Sequence, residues 1–337
     1  MKAVVFRGKE ALEVSEVPIP PLGDHDVLVR VAYCGVCGTD LHIVFGDGGW
    51  GVPGSVYGHE WSGEVAAVGP GVENWSIDDR VVGGERRCGS CRYCLFGRPS
   101  LCTGQEIPTG PTLGGFAEYV VQHEDALYRV APGLDLRGAA LAEPLAVARH
   151  GVTRSKAEPS DRVLVTGGGP IGLLTLAALR SIGVVDITVS EPSSVRRAAV
   201  ERLGAVSLAP AELPEVSSYM EVVAEPFDVA IECSGTMAAT VQALEQLRPG
   251  GRLVIVGSNF GTVPLDPLRV LVQEVEITGA REYDAGGFDE ALRLLAQGAV
   301  PQEELLESTD TRFIDLLPLL QRMQRGETAR KPLVISA

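Results

Sequence analysis

Nowhere does the 337-residue chain offer the roughly 18 consecutive apolar residues that a membrane-spanning helix needs. Its best window, residues 171–189, is interrupted by Arg180, Gly183 and Asp186. The opening MKAVVFRGKEALEV alternates like a strand and lacks the apolar core of a signal peptide. There is no internal repeat and no low-complexity segment. Positive charge is in short supply, with 29 Lys and Arg against 44 Asp and Glu and a net charge of −15. So acidic a chain repels phosphate backbones and anionic lipid, so neither nucleic acid nor a membrane is expected as a partner. Seven cysteines are too few for a disulfide scaffold. Four of them fall between Cys88 and Cys102, which points to metal binding in a reducing compartment, and a cytoplasmic protein is expected.

What is present fits a folded protein of about two domains, at roughly 150 residues each. Apolar residues make up 45% and charged residues 22%, so disorder is not expected over most of the length. Glycine is abundant, 40 of 337, and implies many tight turns and close backbone approaches.

The first part of the chain reads as β-rich. Short strand-like runs at 27–33, 63–68, 80–83 and 117–122 are separated by Gly, Pro and Asp clusters, the pattern of a barrel or sandwich. After Glu143-Pro144 the pattern changes. Strands are expected at 162–166, 186–190, 228–232, 252–257 and 275–278, with helices at 171–182, 194–203 and 237–247 between them. This alternation predicts βαβ units and a doubly wound parallel sheet, an α/β fold. Two helical patterns follow at 288–296 and 314–325, the second expected to start near Pro318, and a strand-like PLVIS closes the chain.

Gly167, Gly169 and Gly172 form G-x-G-x-x-G directly after the RVLVT strand and before a helix opened by Pro170 and Ile171. One glycine permits the turn, one lets backbone approach a pyrophosphate, and one allows close helix–strand packing. The pyrophosphate would rest on the helix N-terminus. Nineteen positions after Gly172, at the end of the next strand, Glu191 is placed to bond the adenosine ribose, which favours NAD over NADP. Arg196 and Arg197 follow closely as alternative phosphate partners, and Glu191 also reads as a solvated strand-end acid.

Cys88, Cys91, Cys94 and Cys102 are spaced C-x2-C-x2-C-x7-C. Four thiolates at this spacing can close a tetrahedron around a structural zinc. Free or redox-paired thiols are the bland alternative, and the acidity of the chain argues against a nucleic-acid-binding zinc ribbon. A sparser set comprises Cys37 in YCGVCGTDLH, His59 and Glu60 in YGHEWSG, and Glu143 in LAEPLAV. Donors spread in this way suit a catalytic zinc with three protein ligands and one exchangeable position. Each also has an ordinary reading: a buried thiol, a core histidine, a helix N-terminal carboxylate. Spacing alone does not choose between Cys34 and Cys37.

Taken in order, CGVCGTDLH, GHE, the four-cysteine lobe, EPLAV, the glycine triplet and the ECSG of residues 232–235 make the chain resemble the zinc-dependent medium-chain alcohol dehydrogenases, in particular their sorbitol and threonine dehydrogenase branch. The resemblance covers essentially the whole chain. It implies a GroES-like β-rich catalytic domain from residues 1–146 and 282–337, with the structural-zinc lobe at 86–103. A Rossmann nucleotide-binding domain at 147–281 completes the fold it implies. It further implies two zinc ions per chain, with Cys37 rather than Cys34 as the catalytic thiolate, His59 as second ligand, and Glu60 or Glu143 as third. In the implied mechanism zinc lowers the pKa of a substrate hydroxyl, Thr39 accepts its proton and passes it through the nicotinamide ribose to His42, and hydride moves to the nicotinamide. Thr39 also reads as the cap of a helix starting at Asp40, and His42 as a surface residue. Ile171, Arg196, Cys233, Gly257 and Arg281 lie where family members touch the dinucleotide, and a homodimer or homotetramer is implied.

Candidate walls of the substrate pocket are His42, Phe45, Trp50 and Trp61, with Glu118 or Arg281 as polar groups. Two carboxylates near the zinc suit a hydroxyl-rich substrate. The GHEWSG string and residues 190–199 look similar to aminocyclitol dehydrogenases, and CGTDLHI to threonine dehydrogenases. A secondary alcohol of a polyol, sugar or cyclitol is therefore expected, with an amino-acid alcohol second. A zinc-less relative, acting as a quinone reductase or a structural protein, is the reading from another class, and the retained donors argue against it.

Overall fold

The computed structural model describes residues 1–46, 51–104, 111–258 and 261–336. Six parallel strands form one sheet in the order Val206–Leu208, Ile187–Ser190, Val163–Thr166, Phe227–Glu232, Leu247–Ile255 and Glu276–Gly279. Its central strands are near-continuous apolar runs because helices cover both faces. Helices Pro170–Ser181, Ser194–Arg202 and Met237–Glu245 connect them. Chain order reverses between Val163–Thr166 and Phe227–Glu232, so a crevice opens beyond their C-terminal ends, where Gly167 and Cys233 stand.

A second sheet is largely antiparallel and runs Thr311–Arg312, Leu333–Ile335, Asp26–Gly35, Glu60–Val68, Arg80–Gly83, Leu127–Arg129, with Tyr119–His123 also paired to Asp26–Gly35. Both ends of the chain thus contribute to it. Val4, Val27, Val29, Trp61, Val65, Phe116 and Leu320 form its core. A separate core joins Leu145, Leu173, Leu176, Phe288 and Leu292, tying the central sheet to helices from either side of it.

Two elements differ from the sequence reading. Residues Ala142–Ser155 form a long helix that the Pro of EPLAV obscures; Pro144 sits in the first turn, where no helical N–H is lost. The last helix spans Leu316–Gln324 after a 3-10 turn at Phe313–Asp315, so it starts near Pro318 as expected, with the proline in its first turn. The strand expected from 252 begins at Leu247, and its register against Phe227–Glu232 shifts between Phe227 and Val229.

The cysteine lobe is fastened to the crossover at residues 282–284. Arg87 pairs with Glu282, and the Glu85 N–H donates to the Tyr283 hydroxyl at 2.7 Å. The Asp284 carboxylate accepts from Arg98 Nε at 2.6 Å and from Ser100 Oγ at 2.6 Å. Glu282 itself takes a left-handed backbone, φ 54°, a conformation that non-glycine residues rarely adopt without such fastening.

Candidate active site

Helix Gly38–Phe45 starts directly after Cys37, whose N–H is received by the Asp40 carboxylate at 2.8 Å. Thr39 therefore stands in the first helical turn rather than at the cap. Its hydroxyl lies 3.6 Å from Cys37 Sγ. One turn on, His42 and Phe45 face a cleft of about 700 Å³ together with Cys37. Strand Glu60–Val68 places Glu60 opposite Gly35, and His59 immediately precedes it.

These elements bring donor atoms of Cys37, His59 and Glu60 within 4.8 Å of one another. Glu143, in the first turn of Ala142–Ser155, lies outside that group but close enough to feel it. Burial pushes its carboxyl up to about 7; His59 opposes the rise and Glu60 adds to it. Burial would lower the His59 imidazole, but the Cys37 thiolate and Glu143 overcome it and hold the group well above its usual value. The protein groups alone thus build a field that seeks a cation. Glu60 Oε2 is buried and without a hydrogen-bond partner. A half-buried sulfur and imidazole beside a buried, orphaned carboxylate oxygen are a donor set that fits zinc.

Two residues of this cluster escaped the sequence reading. Lys331 Nζ lies 2.6 Å from Glu60 Oε1 and 3.0 Å from the Val36 carbonyl, and nothing in sequence links positions 271 apart. Asp40 is 2% exposed, and burial raises its carboxyl to about 6. An acid three residues beyond Cys37 is a capping pattern that could have marked it.

In the lobe the four sulfurs lie 3.4–4.0 Å apart along the separations Cys88–Cys102, Cys91–Cys94, Cys91–Cys102 and Cys88–Cys94. A tetrahedron with zinc–sulfur arms of about 2.3 Å has edges of roughly 3.8 Å, so the lobe fits a structural zinc. Backbone N–H groups, that of Cys91 first, hold the Cys88 thiol below its usual range. A thiolate poised in this way is ready to ligate.

The opposite wall of the cleft carries Gly167, Gly169, Pro170, Ile171, Glu191, Arg196 and Cys233. Gly167 has φ 99°, which demands glycine. A Cβ on Gly172 would stand 1.8 Å from the Gly167 carbonyl oxygen, so the third glycine is fixed by helix–strand packing. Glu191 is 3% exposed; its carboxylate accepts the N–H of Gly168 at 2.7 Å and of Ser193 at 2.8 Å, with Arg196 Nη1 4.0 Å away. Arg196 Nε reaches across to the Thr328 carbonyl at 2.9 Å. The Cys233 thiol is raised by burial to about 12 and sits beside Thr175 Oγ1; it is no nucleophile. Gly257 packs against Glu232 and Gly235, where a Cβ would meet the Gly235 nitrogen at 2.3 Å. Glu232, wholly buried, accepts from the N–H groups of Ser234 and Gly235 and so shapes the ECSG turn.

Other expected residues lie elsewhere. Trp61 is buried in the β-rich core against Gly83 and Gly115 and does not line the cleft; successive strand residues face opposite ways, so Glu60 at the metal cluster turns Trp61 from it. Glu118 receives the Lys2 N–H, and Arg281 Nη2 lies 2.8 Å from Glu282 Oε1; neither borders the cleft. Trp50 lies outside the described residues.

Residues 23–132 match the alcohol dehydrogenase GroES-like domain and residues 170–297 the zinc-binding dehydrogenase domain. The chain belongs to the zinc-binding alcohol dehydrogenase family. Among its relatives in this family, the sorbitol dehydrogenase of Bacillus subtilis strain 168 is 32% identical over 314 residues, 91% of this chain and 89% of that one. An L-threonine 3-dehydrogenase of Anaeromyxobacter dehalogenans is 37% identical over 274 residues, 78% of each chain. A solved alcohol dehydrogenase of Escherichia coli CFT073, complexed with NADH, superposes with a TM-score of 0.88 at 25% identity over 99% of both chains. The six-stranded sheet has the strand order of a dinucleotide-binding Rossmann fold.

Proposed function

We propose that this dehydrogenase transfers hydride between a secondary alcohol of a polyol, sugar or cyclitol and NAD, yielding the ketone. The observation that carries the reading is the single cleft bordered by Cys37 and His42 on one wall and by the glycine turn and Glu191 on the other. Cys37, His59 and Glu60 would hold the catalytic zinc, with Glu143 as the carboxylate that exchanges with Glu60; Cys88, Cys91, Cys94 and Cys102 would hold the structural one. Zinc supplies Lewis acidity, making a substrate hydroxyl easier to deprotonate near neutral pH. Thr39 would accept that proton beside Cys37. Burial lowers the His42 imidazole below its usual value, so at neutral pH it is uncharged and ready to receive a proton from the relay. We place the catalytic unit at residues 1–146 and 282–337, the nucleotide unit at 147–281, and the protein in the cytoplasm as a homodimer or homotetramer.

Metal analysis of the purified protein should give about two zinc per chain, and a panel of polyols, sugars, cyclitols and L-threonine followed by NADH absorbance should find its fastest member among the hydroxyl-rich compounds. L-Threonine stands second because of the 37% identical relative; its outrunning every polyol would reverse the order. Glu191→Ala should weaken NAD by on the order of tenfold and NADP less, since an acid at the ribose repels a 2′-phosphate. Equal losses in a fluorescence titration would remove Glu191 from ribose recognition.

A further inference from the structure

We propose that Lys331 is a positioning residue that competes with the catalytic metal for Glu60, keeping that carboxylate a single-oxygen ligand that can be released. The inference rests on the reading of Cys37, His59 and Glu60 as metal donors. Glu60 is 1% exposed and Lys331, at the edge of the cleft, 2% exposed, so their 2.6 Å contact is little screened by solvent. The lysine is built in and cannot swing away. Its N–H donates to the Leu305 carbonyl at 2.8 Å, its carbonyl accepts the Glu307 N–H at 3.0 Å, and its ammonium also holds the Val36 carbonyl. The sheet explains the convergence: Leu333–Ile335 pairs with Asp26–Gly35, which pairs with Glu60–Val68. Lys331, Val36 and Glu60 therefore stand at adjacent strand ends.

The two oxygens of Glu60 have different fates. Oε1 is taken by Lys331, whereas Oε2 has no partner. Oε2 occupies space that only a glycine at position 35 leaves open, since a Cβ there would lie 2.2 Å away. A carboxylate shared with an ammonium is a weaker donor than a bare one. Remove the ammonium and the buried charge is left with the metal as its counter-ion, because an uncompensated charge in such a place is strongly disfavoured. Arginine would act in the opposite direction, since its planar fork engages both carboxylate oxygens.

The test is chelator competition for zinc on the native holoenzyme and on Lys331→Met and Lys331→Arg, with Cys37→Ser protein as the blank for lobe zinc. Catalytic-site zinc should be held on the order of tenfold more tightly in Lys331→Met and more loosely in Lys331→Arg, changes of the size that partners of metal ligands produce. Turnover should fall in Lys331→Met while zinc occupancy stays full, a split that a loosened fold would not give. Zinc lost as easily or more easily from Lys331→Met makes Lys331 a plain structural brace and overturns the proposal. Should Lys331→Met not fold, Lys331→Arg decides alone, and equal or tighter zinc there overturns it too. Native protein that holds zinc only in the lobe overturns the metal-site reading itself, and this inference with it.

Discussion

Cys37→Ser is expected to lower kcat by about a thousandfold or more, because Lewis-acid stabilisation supplies several kcal/mol and each 1.36 kcal/mol is about tenfold in rate. A serine hydroxyl is a far poorer zinc donor than a thiolate, and the cluster loses its only sulfur. The dinucleotide wall is built on the other side of the cleft, by Gly167, Gly169, Ile171 and Glu191. The dissociation constant for NAD should therefore change by no more than about threefold, well under the 1.4 kcal/mol that a tenfold change represents. Steady-state kinetics beside a fluorescence titration checks both halves. The Cys37 N–H is held by Asp40, and a serine keeps that backbone bond, so the helix start should survive. Joint loss of folding and NAD binding would instead make Cys37 a structural residue.

The second large effect belongs to Gly172→Ala. The added methyl would meet the Gly167 carbonyl oxygen at 1.8 Å and its carbon at 2.9 Å. Both are backbone atoms at the end of a buried strand, so neither yields as a flexible side chain would. Either helix Pro170–Ser181 lifts from the sheet or the turn opens, and overpacking of this kind costs about 1–3 kcal/mol or more. Because Gly167 is itself in the left-handed region, opening the turn also spoils the surface on which a pyrophosphate would lie. NAD should bind up to about a hundredfold more weakly, the upper end of that cost expressed as affinity, and the melting temperature should drop. Gly279→Ala serves as the control, since its methyl would come no nearer than 3.9 Å to any atom beyond its chain neighbours. Binding of NAD by Gly172→Ala at native strength would dissociate the glycine turn from the cofactor.

The alternation of short apolar strands with helices, and the glycine turn between them, were legible in the sequence because period and punctuation are local signals. The cysteine lobe was legible for the same reason, since its four thiols are packed into a few turns of chain. The cluster of Cys37, His59 and Glu60 was harder. Residue chemistry alone left Cys34 and Cys37 equivalent, and only resemblance separated them; in space Cys34 is wholly buried beneath Gly58 and Gly115, whereas Cys37 faces the cleft. Trp61 misled because adjacency in sequence to Glu60 means opposite faces in a strand. Lys331 could not be foreseen at all, because its place follows from strand pairing between distant parts of the chain, not from any pattern around it.

That pairing bears on how the protein is made. Cys37, His59 and Glu60 leave the ribosome early, at a steady roughly 5–20 residues per second, yet the ammonium that balances Glu60 comes with residue 331. Until then strand Asp26–Gly35, which leads to Cys37, lacks its neighbour Leu333–Ile335, so the sheet that positions the three donors is incomplete. Zinc uptake at this spot should follow synthesis, while the lobe, all of whose sulfurs lie within residues 88–102, can be loaded while the chain is still growing.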